Sequence, residues 1–367
     1  MISLIKKKLK YLYSNITKII FDAIYCKIIV GNMKFFYDNT KIKKIYLTKK
    51  RAKKYNLYII KQGRIYSDNS ENVAVIKENC LMPKLSIQLG NNCLLSHKKN
   101  GILRTGSRIL IQRKIRGKML SLVQGASAIN NYGHWLLDIL PKLFISEKLR
   151  KFSYYDAIYL PSYKKKFQID TLKYFNIDKS KIIDGSVIRH VYADEITMPE
   201  HPYWKVNKFQ LDTVSKVDPE MIKLLRNKFL LKKQKKNKYD RLFIDRSDSL
   251  FNHNQIINYK EVYQFLLKKK FIKLNLSRLS FDEQISYFYN AKIILGAHGA
   301  GLCNTIFCKS GTTLIELSNS IDKCYLFKNI SKINKMKYYN IISKGDSQSN
   351  KIYPRIFIPI SKIAKIV

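Results

Sequence analysis

Gly296-Ala-His-Gly-Ala-Gly-Leu302 follows directly on the apolar run Lys292–Leu295. A short buried run that breaks into three glycines reads as a strand, a tight turn and the start of a helix. Glycine lets the backbone approach a ligand closely, and a helix start there aims its amides at a phosphate. The spacing is not that of the dinucleotide fingerprint and the P-loop lysine is absent, so neither a nicotinamide enzyme nor a P-loop NTPase follows. His298 sits inside the turn, where an imidazole can hydrogen-bond or charge-pair with a phosphate. Taken alone it is equally an ordinary loop histidine.

Outward from this turn, strands and helices alternate. Arg241–Asp245, Phe271–Leu276, Lys292–Leu295 and Thr313–Leu317 read as strands, and Tyr259–Lys269 and Phe281–Ala291 as helices. Ser280 followed by Glu283 forms a capping box that starts the second helix. Helices of this length between strands imply a parallel sheet with helices on its faces, whose ligands lie beyond the carboxyl ends of the strands. Upstream, Met119–Val123 reads as a strand, Gln124–Asn131 as a loop and Gly133–Leu149 as a helix that Pro141 should kink. Ala157–Leu160 and Ile169–Phe175 continue the alternation as strand and helix. Residues 32–118 are β-leaning and irregular, with no assignable topology, and no internal repeat is visible. The charged stretch Lys232–Lys238 is the best interdomain linker, its lysines read as a solvated face.

Two further constellations could carry chemistry. In Asn130-Asn-Tyr-Gly-His-Trp-Leu-Leu-Asp138, His134 and Asp138 are four apart at a helix start and so share one face. A carboxylate there could take a proton from a hydroxyl, with His134 orienting the acceptor or sharing the proton. Equally, Asp138 could simply complement the helix dipole. Arg246, at the carboxyl end of a strand, could pair bidentately with a diphosphate or be an ordinary surface arginine.

The 367 residues suffice for two domains with real cores, and 46% hydrophobic with 12% aromatic excludes a disordered polybasic tail. Sixty-nine Lys and Arg against 26 Asp and Glu give a net charge of +43, which must lie on the outside of a folded body. Joint over-use of Lys, Asn, Ile and Tyr fits a coding bias. The rival explanation is an anionic partner: membrane headgroups, nucleic acid, or a sugar nucleotide and an acidic glycan. Six cysteines lack zinc or C-x-x-C spacing and fit a reduced cytoplasmic setting, with Cys303 and Cys308 as buried thiols. Residues 1–31 show no signal-peptide pattern and no run of spanning length. Ile2, Ile5, Leu9, Leu12, Ile16, Ile19, Ala23 and Ile24 recur at helical spacing, with Lys6, Lys7, Lys8, Lys10 and Lys18 on the polar side. Such a helix lies on an anionic leaflet or docks on the rest of the chain.

Taken together, these sites resemble glycosyltransferase family 61. The similarity runs from about Gln124 to Leu317. Its most specific part is Leu279-Ser-Phe-Asp-Glu-Gln-Ile285, Phe288, Asn290-Ala291, Ile294 through Asn304, Phe307, Gly311 and Glu316-Leu317, with Asn131 to Asp138 as a second block. The resemblance implies an inverting, sugar-nucleotide-dependent transferase with an α/β, GT-B-like fold: two Rossmann-like domains with parallel sheets facing a cleft. It implies an N-terminal acceptor-side domain (32–235), a donor-binding domain (236–345) and a tail (346–367) returning to the first. Donor binding then falls to Arg246, His298, Gly299, Ala300, Gly301 and Glu316, and base catalysis to Asp138 first and His134 second. One departure stands out. Many members carry an Arg-Arg pair after the strand-end arginine, where this chain reads Asn254-Gln-Ile-Ile-Asn258, with Glu261 three further on.

No two aspartates are separated by one residue, so the Asp-x-Asp metal motif of other transferases is missing and neither metal nor cofactor is expected. The expected partners are a nucleotide-sugar donor, a glycan or lipid-linked acceptor of surface polysaccharide synthesis, and the anionic inner face of the cytoplasmic membrane. Nucleic acid is disfavoured, since no recognised binding module is present. The rivals are a polysaccharide pyruvyl- or phosphotransferase of related architecture and a non-catalytic basic binder.

Overall fold

The computed structural model describes residues 2–47, 53–68, 72–90, 93–105, 111–123, 129–202, 217–230, 238–247, 254–319, 324–343 and 354–367. Most of the expected linker Lys232–Lys238 and the loop segment 124–128 lie outside them. The chain divides into two compact units, Met1–Gln210 and Leu211–Val367, so the helix Pro219–Phe229 belongs with the second.

The first unit is built on a nine-stranded mixed sheet. Its longest strand, Lys54–Ser67, pairs antiparallel with Lys41–Tyr46, Val73–Lys77 and His190–Pro199. Beyond His190–Pro199 the sheet turns parallel through Arg113–Ser121, Ala157–Leu160 and Ile182–Asp184. This part, with the short parallel pair Ile29–Val30 and Cys80–Leu81, matches the parallel sheet that the resemblance implies; the strands around Lys54–Ser67 do not. Short connections join Lys54–Ser67 to its antiparallel neighbours Lys41–Tyr46 and Val73–Lys77, whereas the parallel strands need crossovers, supplied here by the helices Leu140–Glu147 and Lys166–Leu172. Gly117 marks a kink in the strand Arg113–Ser121. Its φ of +130° suits glycine, and a β-carbon there would collide with the Asp156 carboxylate. The core joins Ile60, Ile65, Met119, Tyr159 and Ile196, all fully buried.

The segment expected as one kinked helix takes another course. It winds as an α-turn over Tyr132–His134, widens to a π-helix over Trp135–Ile139 and returns to α-helix over Leu140–Glu147, with Pro141 in the first turn of the last part. Proline has no amide to give the Leu137 carbonyl and its ring crowds that group, so a wider turn absorbs the misfit.

The second unit carries five parallel strands in the spatial order Ile272–Asn275, Arg241–Asp245, Ile293–Ala297, Thr313–Asn319, Lys337–Ser343. In chain order this is 2-1-3-4-5, a doubly wound Rossmann-like sheet whose direction of winding reverses between Arg241–Asp245 and Ile293–Ala297. Helices cover both faces, which explains strands that read as nearly continuous apolar runs. On one side Phe243, Leu295, Ile315 and Leu317 pack with Val262 and Leu266. On the other, Phe229, Phe281 and Phe307 meet edge to face with centroids 5.0–6.1 Å apart. Ser280 and Glu283 form the expected capping box at the start of Phe281–Asn290. The described part of the tail packs within the second unit. Ile356 bridges to Ile256, and Ile358 and Ile363 are buried in the second unit's core, because this face of the sheet still has apolar surface to cover.

Among the described residues Lys142 is the one buried lysine, so the excess positive charge is carried at the surface. Cys303 and Cys308 are buried free thiols.

Candidate functional site

In the second unit the predicted donor residues meet at the point where the sheet's winding reverses. Arg246 leaves the carboxyl end of Arg241–Asp245, and the adjacent strand Ile293–Ala297 runs into His298 and Gly299. The Arg246 guanidinium donates from Nη1 to the His298 carbonyl and lies against Gly299, where a β-carbon would run into it. Gly299 leaves room for that approach; its backbone is extended, so a side chain there would displace the guanidinium rather than strain the chain. Ala300 and Gly301 open the 3-10 helix Ala300–Phe307.

His298 is tied to the neighbouring strand. Its amide donates to the Leu317 carbonyl at 2.8 Å, and its Nδ1 lies 2.5 Å from Glu316 Oε1. Glu316, 1% exposed, accepts on its other oxygen from the Tyr338 hydroxyl at 2.6 Å. A carboxylate can only accept, so Nδ1 carries the proton and the ring orientation is fixed through Glu316 and Tyr338. The stretch that replaces the family's arginine pair takes a supporting place. Asn254, buried and left-handed at φ 55°, reaches toward the His298 carbonyl at 3.5 Å and accepts from Asn319 at 2.7 Å. Asn258 instead clamps the tail, exchanging hydrogen bonds with Ile358.

In the first unit His134 and Asp138 also meet. Asn131 caps the helix start by accepting from the Gly133 and His134 amides, and buried Trp135 anchors the turn through Nε1–H to Thr171 at 2.9 Å. The π-turn then places Asp138 Oδ2 2.6 Å from His134 Nδ1. His201, which sequence reasoning missed, approaches the same oxygen at 3.7 Å from just beyond the strand His190–Pro199. Asp138 is 5% exposed and His201 3%, while the His134 side chain is 26% exposed. Burial alone would raise the Asp138 pKa. The hydrogen bond from His134 and the attraction of both His134 and His201 outweigh it and hold the carboxyl far below the ordinary range. Burial pushes His201 down to about 4 against the pull of Asp138, so at neutral pH the carboxylate faces a neutral His201 on one side and hydrogen-bonds His134 on the other.

Two observations thus define a class: an α/β protein with a histidine, an arginine and a glycine-lined helix start at the switch point of a parallel sheet, and a separate aspartate–histidine pair. Residues 132–315, half of the chain, match the family Glycosyltransferase 61. The chain belongs to that family. Both blocks described above fall within the matched residues except for Asn131 at one end and Glu316 and Leu317 at the other. An EGF domain-specific O-linked N-acetylglucosamine transferase of Xenopus laevis is 31% identical over 107 residues, 28% of this chain and 19% of that protein's own length.

Proposed function

We propose that this chain is an inverting, metal-independent glycosyltransferase that moves a sugar from a nucleotide-sugar donor to a hydroxyl of a glycan or lipid-linked acceptor during synthesis of a surface polysaccharide. The observation that carries the reading is the meeting of Arg246, His298 and Gly299 at the switch point of the second unit's sheet. A nucleotide diphosphate suits that place: helix amides from Ala300 and Gly301, the His298 ring and the Arg246 cation would offset its negative charge. A second Rossmann-like half of this kind is what a GT-B transferase uses for its donor.

The proton acceptor is assigned to His134, with Asp138 as its positioning residue. Asp138 is nearly sealed from solvent, and a carboxyl held so acidic is a weak base. His134 has the greater exposure, and an ionised Asp138 keeps its proton on Nδ1, which directs Nε2 toward the acceptor. Nε2 takes the proton of the acceptor hydroxyl as that oxygen bonds to the anomeric carbon. The bond from that carbon to the diphosphate oxygen breaks on the opposite side, the leaving diphosphate keeps the electron pair, and Asp138 stabilises the imidazolium. This is the division of labour of an aspartate–histidine pair in acyl transfer, used here on a hydroxyl.

The reading is tested by following nucleotide release and sugar transfer with UDP-, GDP-, CMP- and TDP-sugars, with and without EDTA. Turnover of one nucleotide class that survives EDTA and is lost in His134→Ala supports it. Transfer from phosphoenolpyruvate with no sugar-nucleotide turnover would replace it.

A further inference from the structure

The helix Ile2–Tyr25 has more than one face to account for, and its own unit covers only part of it. Thr17 and Phe21 are buried, Phe21 packing with Tyr66, Ile76 and Leu81, and Tyr25 sets its ring edge-on to His190. This contact holds the C-terminal end of the helix against the sheet. The apolar stripe is elsewhere. Ile5, Leu9, Leu12, Ile16 and Ile19 are 50, 59, 57, 48 and 68% exposed. At 3.6 residues per turn the stripe is centred roughly 140° around the helix from Thr17 and Phe21. Docking on the rest of the unit, one of the two fates open from the sequence, therefore leaves this stripe unused.

Its chemistry identifies what covers it. The helix holds five lysines and a single acid, Asp22, and Asp22 is paired to Lys18. Lys6 and Lys8, both exposed, fall at opposite margins of the stripe, where long side chains can lay their stems along apolar surface and lift their ammonium groups to a layer of phosphates. A second copy of the helix would bring these like charges together, whereas anionic headgroups neutralise them. No helix among the described residues is long and apolar enough to cross a membrane. We propose that the helix Ile2–Tyr25 lies in the interface of an anionic lipid bilayer, its stripe in the acyl boundary and Lys6 and Lys8 reaching the headgroup phosphates, with Phe21 and Tyr25 fastening it to the first unit.

The test uses the full chain and sedimented vesicles of phosphatidylcholine alone or of phosphatidylcholine and phosphatidylglycerol in equal parts. The chain binds the anionic vesicles and leaves the neutral ones. Lys6→Gln with Lys8→Gln weakens partitioning by more than about tenfold, each lysine being worth about fivefold. Leu9→Gln with Ile16→Gln weakens it at least as much, and circular dichroism and the thermal midpoint stay unchanged because both positions are exposed. Three results would each overturn the proposal: equal binding to both vesicles, anionic binding indifferent to the Leu9 and Ile16 substitutions, or a soluble dimer that those substitutions dissociate in a chain that ignores vesicles. Transfer to a soluble acceptor is unaffected by either pair, so failure here is distinguishable from failure of the transferase reading.

Discussion

Asp138 Oδ2 lies 2.6 Å from His134 Nδ1, and the turn that brings them together is π-helical. The wide turn exists because Pro141 stands one turn later, so a proline that suggests a kink in the sequence instead shapes the surroundings of a buried carboxylate. Asp138→Asn keeps the size of the side chain but removes the charge that fixes the ring and stabilises its protonated form. We expect turnover to fall by about 10²–10⁴-fold with donor KM little changed, and His134→Ala to fall at least as far. Steady-state kinetics with the donor varied checks this, and a large KM effect in Asp138→Asn would argue that the pair serves binding.

Gly299→Ala should act on the donor alone. The added methyl meets the Arg246 guanidinium, which must leave the His298 carbonyl. Donor KM should rise by about tenfold or more, the equivalent of losing one charge-assisted hydrogen bond. Glu316→Gln should give a similar rise by releasing the His298 ring, and isothermal titration with the nucleotide distinguishes this from a loss of kcat.

Acid should destabilise the first unit before carboxylates are titrated. His201 and His190 are pushed down to about 4 and about 3 from an ordinary 6.5, both chiefly by burial. Between those values and 6.5 the unfolded chain binds protons that the folded chain does not, so stability rises with pH and is lost on acidification through this window. Each histidine is worth on the order of 3 kcal/mol across it. Urea midpoints should drop between pH 7.5 and pH 5, and His190→Gln with His201→Gln should flatten that drop.

Phe281 couples the capping box to the aromatic cluster under the second sheet. Phe281→Ala should cost about 3–5 kcal/mol and Ser280→Ala about 1 kcal/mol, read from urea denaturation of the full chain. A Phe281→Ala variant as stable as the parent would contradict the packing described.

The second unit was largely legible because its signals are local. Buried strands bounded by turns, the Ser280–Glu283 box and the glycines at 299 and 301 each act within a few residues, and all fall where they were read. In the first unit the strand Ala157–Leu160 also falls where it was read, but the mixed sheet around it was not legible. Lys54–Ser67 owes its place to pairing with His190–Pro199, and no local pattern encodes a partner so distant in the chain. For the same reason His201 was invisible: it reaches Asp138 from the end of another strand, with only its residue type as a signal. The helix Leu326–Ile333 keeps its apolar residues Leu326, Phe327, Ile330 and Ile333 at helical spacing but spans little more than two turns, and the strand Lys337–Ser343 interleaves Lys and Asn with its apolar residues, so neither stood out.

The central claim, a nucleotide diphosphate held where Arg246 and His298 meet, is tested most directly by isothermal titration of the EDTA-treated chain with UDP, GDP, CMP and TDP, beside His298→Ala. The account predicts that one of the three diphosphates binds without added metal, more tightly than the monophosphate CMP, and that His298→Ala weakens it by at least about tenfold. Binding of none of the four, or binding that His298→Ala leaves intact, would contradict it.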